Sequence, residues 1–195
     1  MSKTVEFWYD VQSPTAYLAY WQLKRIAART GATIDYRPML LGGVFKAISS
    51  QTPVNNKAKG RWMFFDMSNF ARKYDVPFQS NPYFVFSSLP LMRGAILAQQ
   101  RGELERYNDT IFYGIWRDAK NLGDPAVIVE TLKEAGLDAG AYVEGIQQQD
   151  VKDRLIANTE EAVGKGVFGA PTFFVGDKMW WGQDRLDWVE EELAA

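Results

Sequence analysis

The spacing of apolar residues near the N-terminus predicts a strand, a helix and a second strand. Residues 3–10 are rich in valine and aromatic side chains, as strands are. Ser13 and Pro14 are typical of an N-cap and a first helical position, and apolar residues then recur at roughly helical spacing to about Thr30. Apolar and polar side chains alternate over 32–38, which predicts a second strand. A β-α-β unit of this kind places its two strands parallel and side by side.

Between about residues 40 and 166 the pattern of apolar residues changes to that of helices. Glycines mark several helix ends, and Asp124 followed by Pro125 is typical of a helix start. The segment has no internal repeat and no stretch that resembles a linker. The predicted helices cover 42–48, 56–74, 88–102, 103–119, 125–135, 138–148 and 150–165.

The C-terminal residues return to the spacing of strands. Valine and aromatic side chains over 172–175 and 178–181 flank a Gly-Asp pair, which predicts a β-hairpin, and a last helix is predicted over 184–193. The complete order, β-α-β then helices then β-β-α, is that of a thioredoxin with a large inserted segment. An ordinary α/β domain unrelated to thioredoxins is the alternative.

This order predicts how the chain is organised into domains. We expect an α/β fold of thioredoxin type with a large all-helical insertion. Its thioredoxin-like domain would be formed by residues 1–39 and 167–195, and the inserted helical domain by residues 40–166. A length of 195 residues suits one such fold with a sizeable insertion.

Charge and composition narrow the possible partners. The chain has 22 basic and 24 acidic residues and a net charge of −2, so no electrostatic attraction favours nucleic acid or an anionic membrane. No apolar run approaches the length of a membrane-spanning helix, and the N-terminus has no signal-peptide pattern. We therefore expect small-molecule partners, no membrane association and a cytoplasmic location.

The chain contains neither cysteine nor histidine, which excludes several kinds of chemistry. Without cysteine it has no disulfide, no thiolate metal site and no thiol for thiol–disulfide exchange. Without histidine it lacks the commonest general base and the commonest metal ligand. We expect no metal site. If the protein performs sulfur chemistry, its thiol has to come from a bound molecule.

Ser13 has two interpretations. It is a normal helix N-cap, which stabilises a helix by about 1 kcal/mol. A helix start also attracts anions, so a bound thiolate beside Ser13 would be stabilised by the helix dipole and by the hydroxyl. Ser13 is a poor candidate nucleophile because the chain has no histidine to activate it.

Two further segments contain candidate binding residues. Pro171 begins a strand after Ala170, either as a simple edge-strand start or as a cis-proline that leaves the N–H and C=O of Ala170 free for a peptide-like ligand. Asp184 either caps the last helix or binds the ammonium group of an amino-acid-like ligand. Arg185 beside it is either a solvated charge or part of the same site.

Four blocks of the chain resemble the 2-hydroxychromene-2-carboxylate isomerases and the related kappa-class glutathione transferases. The blocks are 7–19, 38–46, 166–172 and 181–186, and they occur in the family's order. In addition, Lys59, Trp62 and Asp66 fall where the family has a Lys-x-x-Tyr-x-x-x-Asp run. The resemblance covers nearly the whole chain and implies a DsbA-like thioredoxin fold, glutathione as cofactor and a homodimer.

The resemblance also implies roles for individual residues. Ser13 would lie against the glutathione sulfur, and Ala170 would pair with the cysteinyl backbone before a cis Pro171. Asp184 and its neighbour Arg185 would hold the γ-glutamyl end, and Lys59 would lie near the ligand.

One position departs from the family pattern. Where the family has Gly-Asn, and the asparagine contacts glutathione, this chain has Ser49 and Ser50. Ser50 offers one hydroxyl where an amide offers a separate donor and acceptor. Either Asn55 or Asn56 replaces the family's asparagine, or glutathione is bound differently.

The function implied by the resemblance is glutathione-dependent isomerisation of an aromatic hydroxy or keto acid. In the mechanism usually proposed, the thiolate adds to a conjugated carbon, the bond rotates and the thiolate leaves. Conjugation of glutathione to electrophiles and a non-catalytic thioredoxin-like binding module are the alternatives. Lys46 or Lys59 would receive the substrate carboxylate. The candidates for an aromatic acceptor pocket are Trp8, Phe45, Trp62, Phe84, Phe86 and Trp181.

Overall fold

A four-stranded mixed sheet forms the centre of the molecule. The structure is a computed structural model and describes residues 3–195. Strand β1 lies parallel to β2 and antiparallel to β3, and β3 pairs with β4, so that the order is β2-β1-β3-β4. The predicted parallel pair and the predicted hairpin are both confirmed. The strands are β1 Thr4–Tyr9, β2 Thr33–Pro38, β3 Thr172–Val175 and β4 Lys178–Trp181.

Helices make up most of the remaining chain and follow the predicted order. The prediction over 103–119 was too long, because α5 ends at Trp116 and Lys120 N–H turns back to donate to Gly114 O. The helices are α1 Pro14–Thr30, α2 Leu41–Ala47, α3 Lys57–Lys73, α4 Leu89–Gln100, α5 Leu104–Trp116, α6 Pro125–Glu134, α7 Ala139–Gly145, α8 Gln149–Gly164 and α9 Leu186–Ala194. Single 3₁₀ turns precede α3 at Pro53–Asn55 and α9 at Gln183–Arg185.

Local sequence signals fix both ends of α1. Ser13 has an extended backbone, and its side chain accepts a hydrogen bond from Ala16 N–H. Pro14 follows at the first helical position, where no N–H is needed. Gly31 ends the helix with φ of 71°, a left-handed conformation that glycine adopts without steric cost. The sequence therefore places the start of α1 directly after the end of β1.

Alternate residues of β1 point into two different apolar clusters. Phe7 stacks on Tyr9 and on Phe173, with ring centroids 5.0 and 5.6 Å apart, in the larger cluster. Trp8 points to the other face and packs in a second cluster with Phe174. Both faces of β1 are therefore covered, so the strand end that carries the candidate site is rigidly held.

The inserted helices pack directly against the sheet. Helix α8 contacts α2 and β2, and α4 contacts β2 as well. The division into domains at residues 39/40 and 166/167 stays a prediction. Over residues 3–195 no helix is long and apolar enough to cross a membrane. In the same part of the chain, no cluster of three or more acidic side chains is arranged to hold a metal ion.

Candidate functional site

The candidate site lies where β1 ends and α1 begins. Ser13 is 95% buried there, and its backbone N–H donates to Asp10 O at 3.0 Å. Its hydroxyl oxygen accepts from Ala16 N–H at 3.2 Å, which confirms the predicted cap. Thr15 N–H, by contrast, makes no hydrogen bond within residues 3–195. The start of α1 therefore retains an unpaired donor next to a hydroxyl group.

The loop before β3 lies against this helix start. The peptide bond between Ala170 and Pro171 is cis, which is the one of the two alternatives that the resemblance implied. Ser13 Oγ donates to Ala170 O at 3.1 Å, although the two residues are 157 positions apart in the chain. Pro171 O in turn accepts from Gly182 N–H at 3.0 Å. Three of the blocks identified in the sequence thus meet at one place.

The prediction that Ala170 presents both backbone groups to a ligand was wrong for the carbonyl. Ala170 O accepts from Ser13 Oγ at 3.1 Å and from Thr15 Oγ1 at 3.0 Å, so two hydroxyl groups already occupy its lone pairs. Ala170 N–H forms no hydrogen bond with the described part of the chain. Only the N–H is therefore available to a peptide-like ligand.

Sequence reasoning missed Thr15. Its hydroxyl lies 2.9 Å from Ser13 Oγ and shares the same acceptor, Ala170 O. The available signal was a second hydroxyl residue two positions after the N-cap. Ser13 and Thr15 together provide two hydroxyl donors, although one donor is enough to satisfy the carbonyl of Ala170.

Asp10 was also missed, although its carboxylate organises the loop that ends at Ser13. The side chain is fully buried, with Oδ1 accepting from Gln12 N–H at 3.0 Å. Oδ2 accepts from Leu41 N–H at 2.9 Å and from Ser88 Oγ at 2.8 Å. Burial raises the pKa of Asp10, and these hydrogen bonds oppose the rise. One carboxylate thus connects the β1–α1 loop to the starts of α2 and α4.

Asp184 and Arg185 lie together on the 3₁₀ turn before α9. Their side chains form an ion pair, with Arg185 Nη2 3.4 Å from Asp184 Oδ2. Tyr74 Oη, at the end of α3, donates to Gln183 O at 2.7 Å and holds the turn in place. Burial and the charge of Asp184 raise the pKa of Asp66 on α3, so the two carboxylates are close enough to repel each other. This negative region favours a bound cation such as an ammonium group.

Within the described residues, Lys59 and Ser50 form no hydrogen bond with Ser13. Both are exposed, and within residues 3–195 neither side chain forms a hydrogen bond or ion pair. Of the two asparagines considered as substitutes, Asn56 caps α3 by accepting from Ala58 and Lys59 N–H. Its acceptor oxygen is therefore occupied by the helix.

The six aromatic residues considered for an acceptor pocket do not form one group. Trp8 is fully buried in the second apolar cluster, so its assignment to a ligand pocket was wrong. Trp62 is exposed on α3, and the ring centroids of Trp181 and Phe168 are 5.0 Å apart. Phe84 is half-buried and borders a surface cleft next to Phe64.

Comparisons with known proteins identify the family to which the chain belongs. The model of the DSBA-like thioredoxin domain family matches residues 4–194. A 2-hydroxychromene-2-carboxylate isomerase from Sphingobium xenophagum is 32% identical over 195 residues, covering 99% of each chain. A solved structure of 2-hydroxychromene-2-carboxylate isomerase superposes with a TM-score of 0.87 at 27% identity, covering 96% of this chain and 93% of the other.

A second group of relatives consists of kappa-class glutathione S-transferases. Human glutathione S-transferase kappa 1 is 26% identical to this chain, covering all of it and 92% of the human protein. The predicted DsbA-like fold is confirmed by the family model and by the structural match. The chain therefore belongs to the DsbA-like thioredoxin family and, within it, is an enzyme of the 2-hydroxychromene-2-carboxylate isomerase type.

Proposed function

We propose that the protein is a glutathione-dependent isomerase of an aromatic hydroxy or keto acid. The observation that carries this proposal is Ser13 at the start of α1, packed against the cis Ala170–Pro171 loop in a chain without cysteine. The isomerase relatives support the reaction, and the kappa-class transferase relatives support the cofactor. Bound glutathione would supply the thiolate that adds to a conjugated carbon and leaves after bond rotation.

The groups at the helix start fit a thiolate. Thr15 N–H makes no hydrogen bond in the described part of the chain and belongs to the first turn of a 17-residue helix, where the helix dipole favours an anion. The Ser13 hydroxyl can rotate its proton from Ala170 O towards a sulfur atom. Thr15 Oγ1 keeps Ala170 O hydrogen bonded when this happens. The two hydroxyls therefore let Ser13 stabilise a thiolate without leaving a carbonyl unsatisfied.

The Thr15→Val variant tests whether the Thr15 hydroxyl frees Ser13 to donate to the thiolate. Because Ser13 then has to keep its hydrogen bond to Ala170 O, we expect the pKa of the bound glutathione thiol to rise and turnover to fall by about tenfold. The expected loss is that of one hydrogen bond to a charged group, about 1.5 kcal/mol. Thiolate ultraviolet absorbance against pH would measure the pKa. The Thr110→Val variant is the control, since that hydroxyl is exposed and bonds only within α5. A thiol pKa equal in the two variants would contradict the role of Thr15.

Hydrogen-bonding groups and charges near the site would make the remaining contacts with glutathione. Ala170 N–H would pair with the cysteinyl carbonyl of glutathione, in front of Pro171. Asp184, with Asp66 opposite, would bind the ammonium group of the γ-glutamyl end, and Arg185 would bind its carboxylate. The side chains of Lys59 and Ser50 are exposed and have no partner within residues 3–195, so they would be able to bind the other carboxylate end of the tripeptide.

The test of the function is an assay of the purified protein with glutathione and two substrates. A hydroxychromene carboxylic acid that isomerises while the glutathione concentration stays constant supports the proposal. Consumption of glutathione with a halonitrobenzene and no isomerisation would instead identify a transferase. Absence of heat on titration with glutathione would overturn both reactions and leave a binding module.

We also propose a cytoplasmic homodimer. Trp62 and Phe65 lie about one helical turn apart on α3 and are 63% and 65% exposed. Such exposure is unusual for large apolar side chains, and a subunit interface would cover them. The absence of cysteine is compatible with a reducing compartment. Light scattering should give twice the chain mass of 22.2 kDa, and a monomer that retains full activity would contradict the dimer.

A further inference from the structure

A cleft with a volume of about 400 Å³ opens between the start of α3 and the segment before α4. Its walls are largely apolar, and two cationic side chains stand among them. A volume of this size lies within the usual range for small-molecule sites, roughly 300–1,000 Å³. The residues that line it are Val54, Lys57, Gly60, Arg61, Phe64, Phe84 and Val85.

The two cations of the cleft have no partner in the described chain. Lys57 and Arg61 are one helical turn apart and line the same cleft, yet neither forms an ion pair or a side-chain hydrogen bond within residues 3–195. Like charges four residues apart destabilise a helix, and cations near its N-terminus oppose the dipole. The first turn of α3 has no acidic residue to offset them. Local preferences broken in this way are characteristic of functional positions.

The apolar walls are aromatic and firmly supported. The rings of Phe64 and Phe84 meet edge to face, with centroids 5.8 Å apart. Phe84 also packs on the fully buried Trp116, with centroids 5.4 Å apart. A planar aromatic ligand would therefore find, in one cleft, supported aromatic rings and two cations that have no partner within residues 3–195.

We propose that this cleft binds the substrate as an aromatic carboxylate, with its ring on Phe64 and Phe84 and its carboxylate on Arg61 and Lys57. Identifying the ligand as the substrate rests on the proposed function. The fork of the Arg61 guanidinium matches a carboxylate in shape, and Lys57 adds a second positive charge. Arg61 and Lys57 thus replace Lys46 and Lys59 as the groups expected to receive the substrate carboxylate.

The wall of the cleft is connected to the loop that ends at Ser13. Trp116, beneath Phe84, donates from Nε1 to Val11 O at 2.9 Å. The side-chain amide of Gln12 donates to Phe86 O. The segment that forms the aromatic wall therefore contacts Gln12 directly and Val11 through Trp116. Lys59 lies on the opposite side of α3 from Lys57 and Arg61, because two residues turn a helix by about 200°. The end of glutathione that Lys59 would bind and the cleft would thus lie on different faces of α3, while the wall of the cleft contacts the loop at Ser13, where the thiolate would lie.

The test is calorimetric titration of the full chain with naphthalene-2-carboxylate, without glutathione. We expect the wild type to bind, and Arg61→Gln to weaken binding by about tenfold or more, the usual loss for a hydrogen bond to a charged group. Lys57→Gln should weaken it less, and Arg61→Glu should abolish it. Arg72→Gln, at the other end of α3, is the matched control and should bind as the wild type does. Naphthalene-2-carboxamide separates charge recognition from misfolding, because Arg61→Gln should leave its affinity unchanged.

Several results would overturn the proposal, and they differ from a failure of the proposed function. No binding of naphthalene-2-carboxylate to the wild type, or equal binding by Arg61→Gln, would remove the cleft as an aryl carboxylate site. If the isomerase assay succeeds but Arg61→Gln leaves KM for the aromatic acid unchanged, the function stands and the substrate does not bind in this cleft. If glutathione fails to bind while the carboxylate still does, the proposed function fails and the carboxylate site remains.

Discussion

The Ser13→Ala variant is expected to lose about 10²–10³-fold in turnover, the usual effect of removing one donor that stabilises a developing or bound anion. The same variant should lose only about 1 kcal/mol of unfolding free energy, because the cap is a single hydrogen bond from Ala16 N–H and Thr15 Oγ1 still donates to Ala170 O when the Ser13 hydroxyl is removed. The pKa of the bound glutathione thiol should rise, since the hydroxyl donor is missing. Turnover, chemical denaturation and thiolate absorbance against pH measure the three quantities.

Two further variants separate catalysis from capping. Ser13→Gly also removes the hydroxyl but costs only a few tenths of a kcal/mol as an N-cap, so it should be nearly as stable as the wild type and as inactive as Ser13→Ala. Asp124→Ala removes the cap of α6, where Asp124 Oδ1 accepts from Ala126 N–H at 2.9 Å, and should lower stability without lowering turnover. Unchanged turnover in Ser13→Gly would show that Ser13 is only a helix cap.

Features encoded by neighbouring residues were accessible from the sequence. Pro14, Gly31 and the Gly176–Asp177 turn each restrict the backbone locally, and the elements that they bound agree with the structure to within about two residues. The position of Pro171 at the start of a strand left both isomers open, and the resemblance implied the cis bond that the structure has. The resemblance to known isomerases then supplied the fold and the enzyme class.

Features that depend on residues far apart in the chain could not be predicted from the sequence. The Asp10 carboxylate binds Leu41 and Ser88, which are 31 and 78 positions away, so no local pattern predicts its partners. Thr15 acts on Ala170 across 155 positions, and that contact reversed the expectation for the Ala170 carbonyl. Trp8 was misassigned because both faces of β1 are buried, and apolar residues on both faces remove the alternation that distinguishes core from surface.

The Asp10→Ala variant is expected to lose about 3 kcal/mol or more of unfolding free energy, since a buried donor left without an acceptor costs about 1–3 kcal/mol. Gln12 N–H and Leu41 N–H would both lose their acceptor, and Ser88 Oγ would lose its own. Asp10→Asn should lose less, because the amide keeps one accepting oxygen and removes the buried charge. Ser88→Ala is the control, since it leaves both backbone bonds to Asp10 intact. Urea denaturation of the three variants measures the losses, and a loss in Asp10→Ala no greater than in Ser88→Ala would contradict the role of Asp10.

The pH dependence of Asp10→Asn gives an independent check on the same carboxylate. Burial raises the pKa of Asp10 in the folded protein, whereas the same side chain in the unfolded chain has a pKa of about 3.9. Asp10 therefore keeps its proton in the folded state at pH values where it has lost that proton in the unfolded chain. The contribution of Asp10 to stability is therefore fully present below the unfolded pKa and decreases as the pH rises through the folded pKa. Asp10→Asn cannot titrate at this position, and all other groups are common to both proteins. The stability advantage of the wild type over Asp10→Asn should thus be largest near pH 4 and diminish at higher pH. An advantage that grows as the pH rises would mean that the carboxylate is stabilised in its ionised form, and that its hydrogen bonds from Gln12, Leu41 and Ser88 outweigh its burial.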